Sequence, residues 1–373
     1  MTQKNETLTL VISFVLTLGI LGGGLWWLLK DRQPVSNTPS NPSGNNSNNA
    51  QNNTPSNPSQ NNSNTTQNQN NTTPTSQQEA DFASVDSIPS GLFNYGGSTT
   101  WASIRESVDP IIRQTHPQFR LRYTNPISGT PGSGRGIKML LDGQLAFSQS
   151  SRPLQEEEYQ AAQTRGYSLK PIPVAIDGIA IAVNPDLNIS GLTVQQVREI
   201  YTGQIRNWQE VGGPNLKIIP YSREIEDGGT VKFFLDQVVG TEDFGSNIQY
   251  VYSTTPALRK VSENLGAIYY ASAPEVVPQC TVKPLPIGRG SGEFIPPYQE
   301  PPVTEAACRE QGKRDQLNFS AFQNGQYPIT RRLFVIVKED GGTDQKAGET
   351  YAELLLTKQG QDLIENTGFV RIR

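Results

Sequence analysis

Apolar residues in this chain fall into short strand-like runs, each followed by a small polar turn and then a helical stripe. Gly91-Leu92-Phe93-Asn94-Tyr95-Gly96-Gly97 reads as a strand entering a glycine turn. Ser98-Thr99-Thr100 then caps a helix over 101–114, with Trp101, Ile104, Val108, Ile111 and Ile112 on one face and Pro117 ending it. A second strand, 119–123, leads into the turn Thr130-Pro131-Gly132-Ser133-Gly134, a helix over 136–141 and a strand over 144–148. The small polar turn Ser150-Ser151-Arg152-Pro153-Leu154 and a charged helix over 156–165 come next. Residues 169–185 form a long apolar run broken by Asp177-Gly178, and read as a strand or strand pair crossing between lobes. A helix over 193–201 follows, then a strand over 216–221 ending at Ser222-Arg223, and Gly228-Gly229-Thr230 opens a helix over 231–238. Residues 280–327 are rich in proline and glycine and read as an irregular excursion. The strong strand 332–338 is the return crossing, and helices over 350–357 and 360–366 precede GFVRIR. Strands alternating with helices predict an α/β layer with a largely parallel sheet, whose ligands bind beyond the carboxyl ends of the strands.

The first eighty residues follow another pattern. Residues 8–29 carry no charge and are long enough to cross a bilayer as one helix, with Trp26 and Trp27 at the interfacial position. A cleaved signal peptide is the alternative. The run is long for that, and no small-residue cleavage site follows. From Gln33 to Gln78 there is no charged residue, only Asn, Ser, Thr, Gln and Pro with scattered small residues. Such a segment cannot bury enough apolar surface to offset chain entropy, and as a disordered tether it would span roughly 35–40 Å. The expected organisation is an anchor or signal over 1–30, a linker over 31–80 and a folded part over 81–373. That part is large enough for two lobes, one about 81–172 with 335–373 and the other about 173–334.

Charge and rare residues narrow the chemistry. The chain has 31 Lys and Arg against 35 Asp and Glu, a net charge of −4, and no basic block, which argues against nucleic-acid binding. With one histidine, His116, expected to be exposed before Pro117, and two separated cysteines, neither a zinc site nor a Ser-His-Asp triad has its parts. No metal, cofactor or catalytic residue is assigned, and an enzyme is not expected. Gly132-Ser133-Gly134-Arg135-Gly136 is not a dinucleotide fingerprint, and no P-loop lysine follows. A Cys280–Cys308 disulfide fits a tethered domain on the outer side of a membrane; two inert buried thiols are the alternative. The three strand–turn–helix units present free backbone N–H groups and the positive ends of helix dipoles, which suit an anion. Taken singly, Thr99 and Thr100 could be no more than a helix cap.

The order and spacing of GGSTTW (96–101), PGSGRGIKMLLDG (131–143), FSQSSRPL (147–154), VAIDGIAIAVNP (174–185), SREIEDGGTVKFF (222–234) and YPITRRLFVIVK (327–338) resemble the periplasmic phosphate-binding proteins of ABC importers. So do LTVQQVREIYTGQIRNWQEVGG (192–213) and the closing GQDLIENTGFVRI. The resemblance covers residues 91–373. It implies a two-lobed class II periplasmic-binding-protein fold with hinge crossings near 169–185 and 332–338, preceded here by the transmembrane helix and disordered linker. It places phosphate between the lobes on Ser98, Thr99 and Thr100, on Ser133 and Gly134, on Ser151, and on Arg223 with Gly229 and Thr230. Arg152 has a supporting role. Two departures stand out. Many members carry an aspartate where this chain has Ser151, and the arginine loop is one residue longer here. If the ligand's proton is still recognised, Asp177 or Asp227 must accept it. Asp177 is preferred, with a turn residue capping Gly178 as its alternative. The resemblance further implies an extracytoplasmic monomer that binds inorganic phosphate, partners an ABC permease and needs no cofactor; the membrane anchor is the expectation from residues 8–29. A tethered oxyanion sensor or scavenger is the alternative, and a phosphate-ester hydrolase lacks its residues.

Overall fold

The computed structural model describes residues 81–224 and 228–372. The anchor over 8–29, the linker over 31–80 and Asp227 lie outside the described residues. Among the described residues no helix is long and apolar enough to cross a membrane.

Strands β1 (Gly91–Gly97), β2 (Phe119–Tyr123) and β3 (Phe147–Ser150) form a parallel group in the order β2-β1-β3. Helices α1 (Ala102–Thr115) and α2 (Ser133–Leu141) connect them, and α3 (Glu156–Thr164) follows. The chain then runs through β4 (Ser168–Val183), a 16-residue strand that continues from the first lobe into the second. After the two-residue β5 (Leu192–Thr193) and helix α4 (Val194–Thr202) comes β6 (Ile219–Ser222). Helix α5 (Gly229–Phe234) follows, extended by a π-turn over Leu235–Val239. β7 (Gln249–Tyr250), α6 (Thr254–Glu263), β8 (Ala267–Ser272), α7 (Ala273–Val276), β9 (Lys283–Leu285) and β10 (Ile287–Gly288) build the rest of the second lobe. The excursion carries α8 (Glu305–Gln311) and α9 (Phe319–Gln323). β11 (Thr330–Glu339) returns to the first lobe, where α10 (Thr343–Leu356) and α11 (Lys358–Asn366) close the chain.

The two long strands make one sheet of both lobes, in the order β2-β1-β3-β11-β4-β8-β6-β7. The sheet is therefore mixed. Its two parallel groups are joined through β11 and β4, which run antiparallel to each other and to their outer neighbours β3 and β8. Burial shows where one lobe gives way to the other. Val174, Ala175 and Leu333 pack into a core with Trp101, Ile104, Phe147 and Tyr351, whereas Ile179 to Val183 and Ile329 pack into one with Trp208, Tyr201, Phe234 and Tyr270. Residues 176–178 and 330–332 lie between these cores and form the double crossing. Trp101 and Trp208 are both fully buried, and burying a large apolar side chain contributes roughly 1.5–3 kcal/mol, so each lobe holds a core of its own.

Several sequence expectations shift locally. The third strand starts at Phe147 because Gln144 and Leu145 belong to the turn after α2. The helix start at Ala102 follows a 3₁₀ turn over Thr99–Trp101. His116 is buried, not exposed: its Nε2 lies 2.6 Å from the carbonyl of Phe82, so the segment ahead of β1 covers it. Glu158, in the charged helix α3, accepts from the Gln155 N–H and pairs with Arg152. Asp177 is in mid-strand, which excludes the turn reading. The Cys280–Cys308 disulfide is present, with Cα atoms 5.5 Å apart, and joins α8 to the end of the segment after α7.

Candidate functional site

The polar turns predicted from the sequence stand at strand ends and are joined by hydrogen bonds. β1 ends at Gly97, where φ is 122° and a Cβ would meet the Gln149 carbonyl at 2.2 Å, so only glycine turns the chain here. Ser98 follows as the helix cap. Its Oγ accepts from the Thr100 N–H (3.3 Å) and donates to Ser151 Oγ (2.9 Å), just beyond β3. Ser133, the first residue of α2, accepts from the Ser151 N–H at 3.0 Å, and its Oγ lies 3.3 Å from Ser151 Oγ. Ser98, Ser133 and Ser151 are all buried. Neither α2 nor α5 has a side-chain cap on its first N–H groups, because Gly132 and Gly228 occupy the cap positions.

The second lobe meets this serine cluster through α5. A Cβ on Gly229 would lie 2.4 Å from both Ser133 Oγ and Ser151 Oγ, so the closeness of the lobes requires glycine. Thr230 Oγ1 lies 3.4 Å from Thr100 Oγ1 across the same boundary. Beside this contact is a cavity of about 220 Å³ lined by Thr99, Thr100, Arg223 and Thr230, by Ser253, Thr254 and Thr255 at the start of α6, and by Tyr269, Tyr270 and Glu275. Of the sequence-predicted residues, Ser98, Thr100, Ser133, Ser151, Gly229 and Thr230 are thus brought together, and Thr99 and Arg223 face the adjoining cavity. Gly134 and Arg152 line a separate cavity of about 260 Å³ with Arg135 and Lys232. The Arg152 guanidinium is held by both carboxylate oxygens of Glu158, at 2.6 and 3.0 Å, and so braces its own turn.

Asp177 has a different neighbour from the one expected. It lies directly opposite Arg331 in the β4–β11 pairing, and both side chains are buried. Arg331 donates from Nε to Asp177 Oδ2 at 2.9 Å, its Nη2 lies 2.8 Å from the same oxygen as an ion-pair contact, and Ser272 Oγ donates to Oδ1 at 2.6 Å. Burial raises the Asp177 carboxyl above the ordinary aspartate range, opposed by the Arg331 charge, the Ser272 hydroxyl and the Ala273 N–H. With both oxygens engaged by donors, Asp177 is the counter-ion of Arg331 rather than an acceptor open to a ligand. Nη2 of Arg331 also reaches Thr100 Oγ1 at 3.2 Å and Thr230 Oγ1 at 2.9 Å.

Sequence reading missed Arg331. The signal was present: Asp177 and Arg331 are charges at the middle of the two crossings. Strand alternation puts only one of the adjacent Arg331 and Arg332 inside, and Arg332 is exposed. A second buried network supports the first lobe. Arg105 donates to the Ser98 carbonyl (3.2 Å) and Gln149 Oε1 (2.8 Å), Gln149 donates to Tyr351 OH (3.0 Å), and Asp109 accepts from the hydroxyls of Tyr351 (3.0 Å) and Tyr95. The serine cluster is therefore mounted on fixed polar supports. The arrangement can surround a tetrahedral anion with neutral donors, backing them with guanidinium charge at Arg331 and Arg223.

Comparison with known proteins bears on the family and the fold. Curated relatives include the Phosphate-binding protein PstS of Staphylococcus epidermidis, 26% identical over 74% of this chain and 77% of its own length. That of Staphylococcus aureus is 26% identical over 74% and 76%. Among solved structures, a Clostridium perfringens protein described as a phosphate ABC transporter substrate-binding protein, determined with bound phosphate, superposes with a TM-score of 0.59. It is 24% identical and is matched over 76% of this chain and all of its own. An ABC-type phosphate transport receptor of Vibrio cholerae gives a TM-score of 0.57 at 23% identity, over 74% of this chain and 99% of its own. These two likenesses show the two-lobed fold. Residues 58–359 match the profile of the PBP superfamily domain, and the chain belongs to that superfamily.

Proposed function

We propose that this protein is the substrate-binding component of an ABC importer for inorganic phosphate. The observation that carries the reading is a cluster of buried hydroxyls and uncapped helix starts, contributed by both lobes and backed by guanidinium charge. Fixed dipoles can hold a desolvated oxyanion without a counter-ion for each charge. The names of the curated relatives at 26% identity support the same ligand class. In this reading Ser98, Thr99, Thr100, Ser133, Gly134, Ser151, Gly229 and Thr230 supply hydroxyl and backbone donors, and Arg223 adds charge-assisted bonds from the cavity wall. Asp177 serves the site by holding Arg331, and Arg152 by holding its turn.

Binding, not turnover, is the proposed activity. Contacts from both lobes favour the closed state, because an anion that touches only one lobe in the open state gains the second set of donors on closure. Closure also excludes water, which strengthens each contact. We further propose that residues 8–29 anchor the protein on the extracytoplasmic face of the membrane, with residues 31–80 as a tether, and that an ABC permease receives the closed monomer. The test of the site is Arg223→Ala in the full chain, followed by calorimetry with phosphate. Losing a hydrogen-bonded charge should weaken binding about 10- to 100-fold. Binding unchanged within twofold would remove Arg223 from the site.

A further inference from the structure

Arg331 is placed where the two lobes and the two crossing strands meet. It is on β11, opposite Asp177 on β4, and only 4% exposed. One amino group, Nη2, is within hydrogen-bond distance of three residues: Asp177 from the opposite crossing, Thr100 from the first lobe and Thr230 from the second. Its guanidinium carbon is 5.8 Å from the ring centroid of Phe233, also on α5. Nη1 is buried with no hydrogen-bond partner among the described residues. A buried guanidinium with one amino group unsatisfied is costly, and an apolar pair would fill the same space at no such cost. The arrangement therefore calls for a role other than stability.

The chemistry of the donors supplies one. An arginine has no acceptor, so both threonine oxygens accept from it; their hydroxyls lie 3.4 Å apart, where one can donate to the other, and an oxyanion beside them can take both hydrogens instead. Both threonines line the cavity beside the serine cluster. We propose that Arg331, held by Asp177, is the positioning residue and lobe latch of the anion site. It joins Thr100 to Thr230 when the lobes are closed and directs their hydroxyl hydrogens to the bound oxyanion. Ligand binding and closure are then coupled through one side chain: opening parts the two threonines, and reclosing restores the bridge together with two oriented donors. The inference rests on the oxyanion-binding reading above and adds to that site one residue, Arg331, that the sequence resemblance does not assign.

The test uses the purified full chain and inorganic phosphate. The paired variant Arg331→Met/Asp177→Asn removes both buried charges at once, and Arg331→Lys keeps the charge but loses the fork. Thr230→Val is then made on each background and on the parent. The expected result is about 100-fold weaker phosphate binding in the paired variant, arising from faster release at nearly unchanged association. Thr230→Val should cost tenfold or more on the parent and less than threefold once the arginine is gone. A purely structural arginine would leave the cost of Thr230→Val the same on both backgrounds. Equal costs, or binding within threefold of the parent, overturn the inference. If the paired variant does not fold, Arg331→Lys is held to the same two criteria. A parent that binds phosphate alongside unaffected variants overturns the latch alone; a parent that binds none overturns the latch and the phosphate reading together.

Discussion

In the anion site proposed above, Ser151 is the residue that sets how different anions are treated. Its hydroxyl can donate to any tetrahedral oxygen, ionised or not, and its immediate partners are hydroxyls. The aspartate that many phosphate-binding relatives carry in this turn would accept a proton from phosphate and repel fully ionised sulfate. Ser151→Asp is therefore expected to weaken sulfate binding about 100-fold relative to phosphate, since a buried like-charge contact costs several kcal/mol. Competition of sulfate against labelled phosphate at pH 7 checks it, and equal weakening of both anions would contradict it. Asp109 gives a second prediction at this scale. Burial raises its carboxyl, while the hydroxyls of Tyr95 and Tyr351 and the charges of Arg105 and Arg113 pull it down without cancelling the rise. A carboxyl whose pKa is higher folded than unfolded binds more protons in the folded state. Its stabilising contribution is present below the unfolded pKa and is lost as pH rises through the folded one. Thermal unfolding from pH 3 upward should show the parent losing stability relative to Asp109→Asn as pH rises. The opposite slope would contradict the assignment.

At the scale of elements, the site depends on how closely α5 approaches the starts of α1 and α2. Gly229 sets that distance, because any side chain there would collide with Ser133 and Ser151. Gly229→Ala should hold the lobes apart. The expected outcome is phosphate binding weaker by about 5- to 150-fold, from an overpacking cost of about 1–3 kcal/mol, with small-angle scattering showing no compaction on adding phosphate. Compaction at parental affinity would show that the lobes close differently. Element scale is also where the sequence was most informative. Small polar turns after strand-like runs put Ser98, Ser133, Ser151 and Gly229 at strand ends, and the family resemblance assigned them to one site. What the sequence did not disclose was pairing across distance. Asp177 and Arg331 are 154 positions apart, and their contact depends on the register of two antiparallel strands. The burial of His116 likewise depends on Phe82, which no periodicity connects to it.

Across the whole molecule, two lobes share one sheet through β4 and β11, and each keeps its own core. In the closure proposed above, the lobes move as bodies and the crossing at residues 176–178 and 330–332 bends. It also puts the buried ion pair of Asp177 and Arg331 at the pivot. The irregular excursion of the second lobe is closed on itself by Cys280–Cys308. The fold thus concentrates hydroxyl donors where the lobes meet. The most direct test of the account is equilibrium dialysis of the purified full chain against labelled inorganic phosphate at pH 7. One phosphate retained per chain, displaced by unlabelled phosphate and retained far more weakly by Arg331→Lys, is the result predicted. No retained phosphate at micromolar protein and ligand would contradict the central claim.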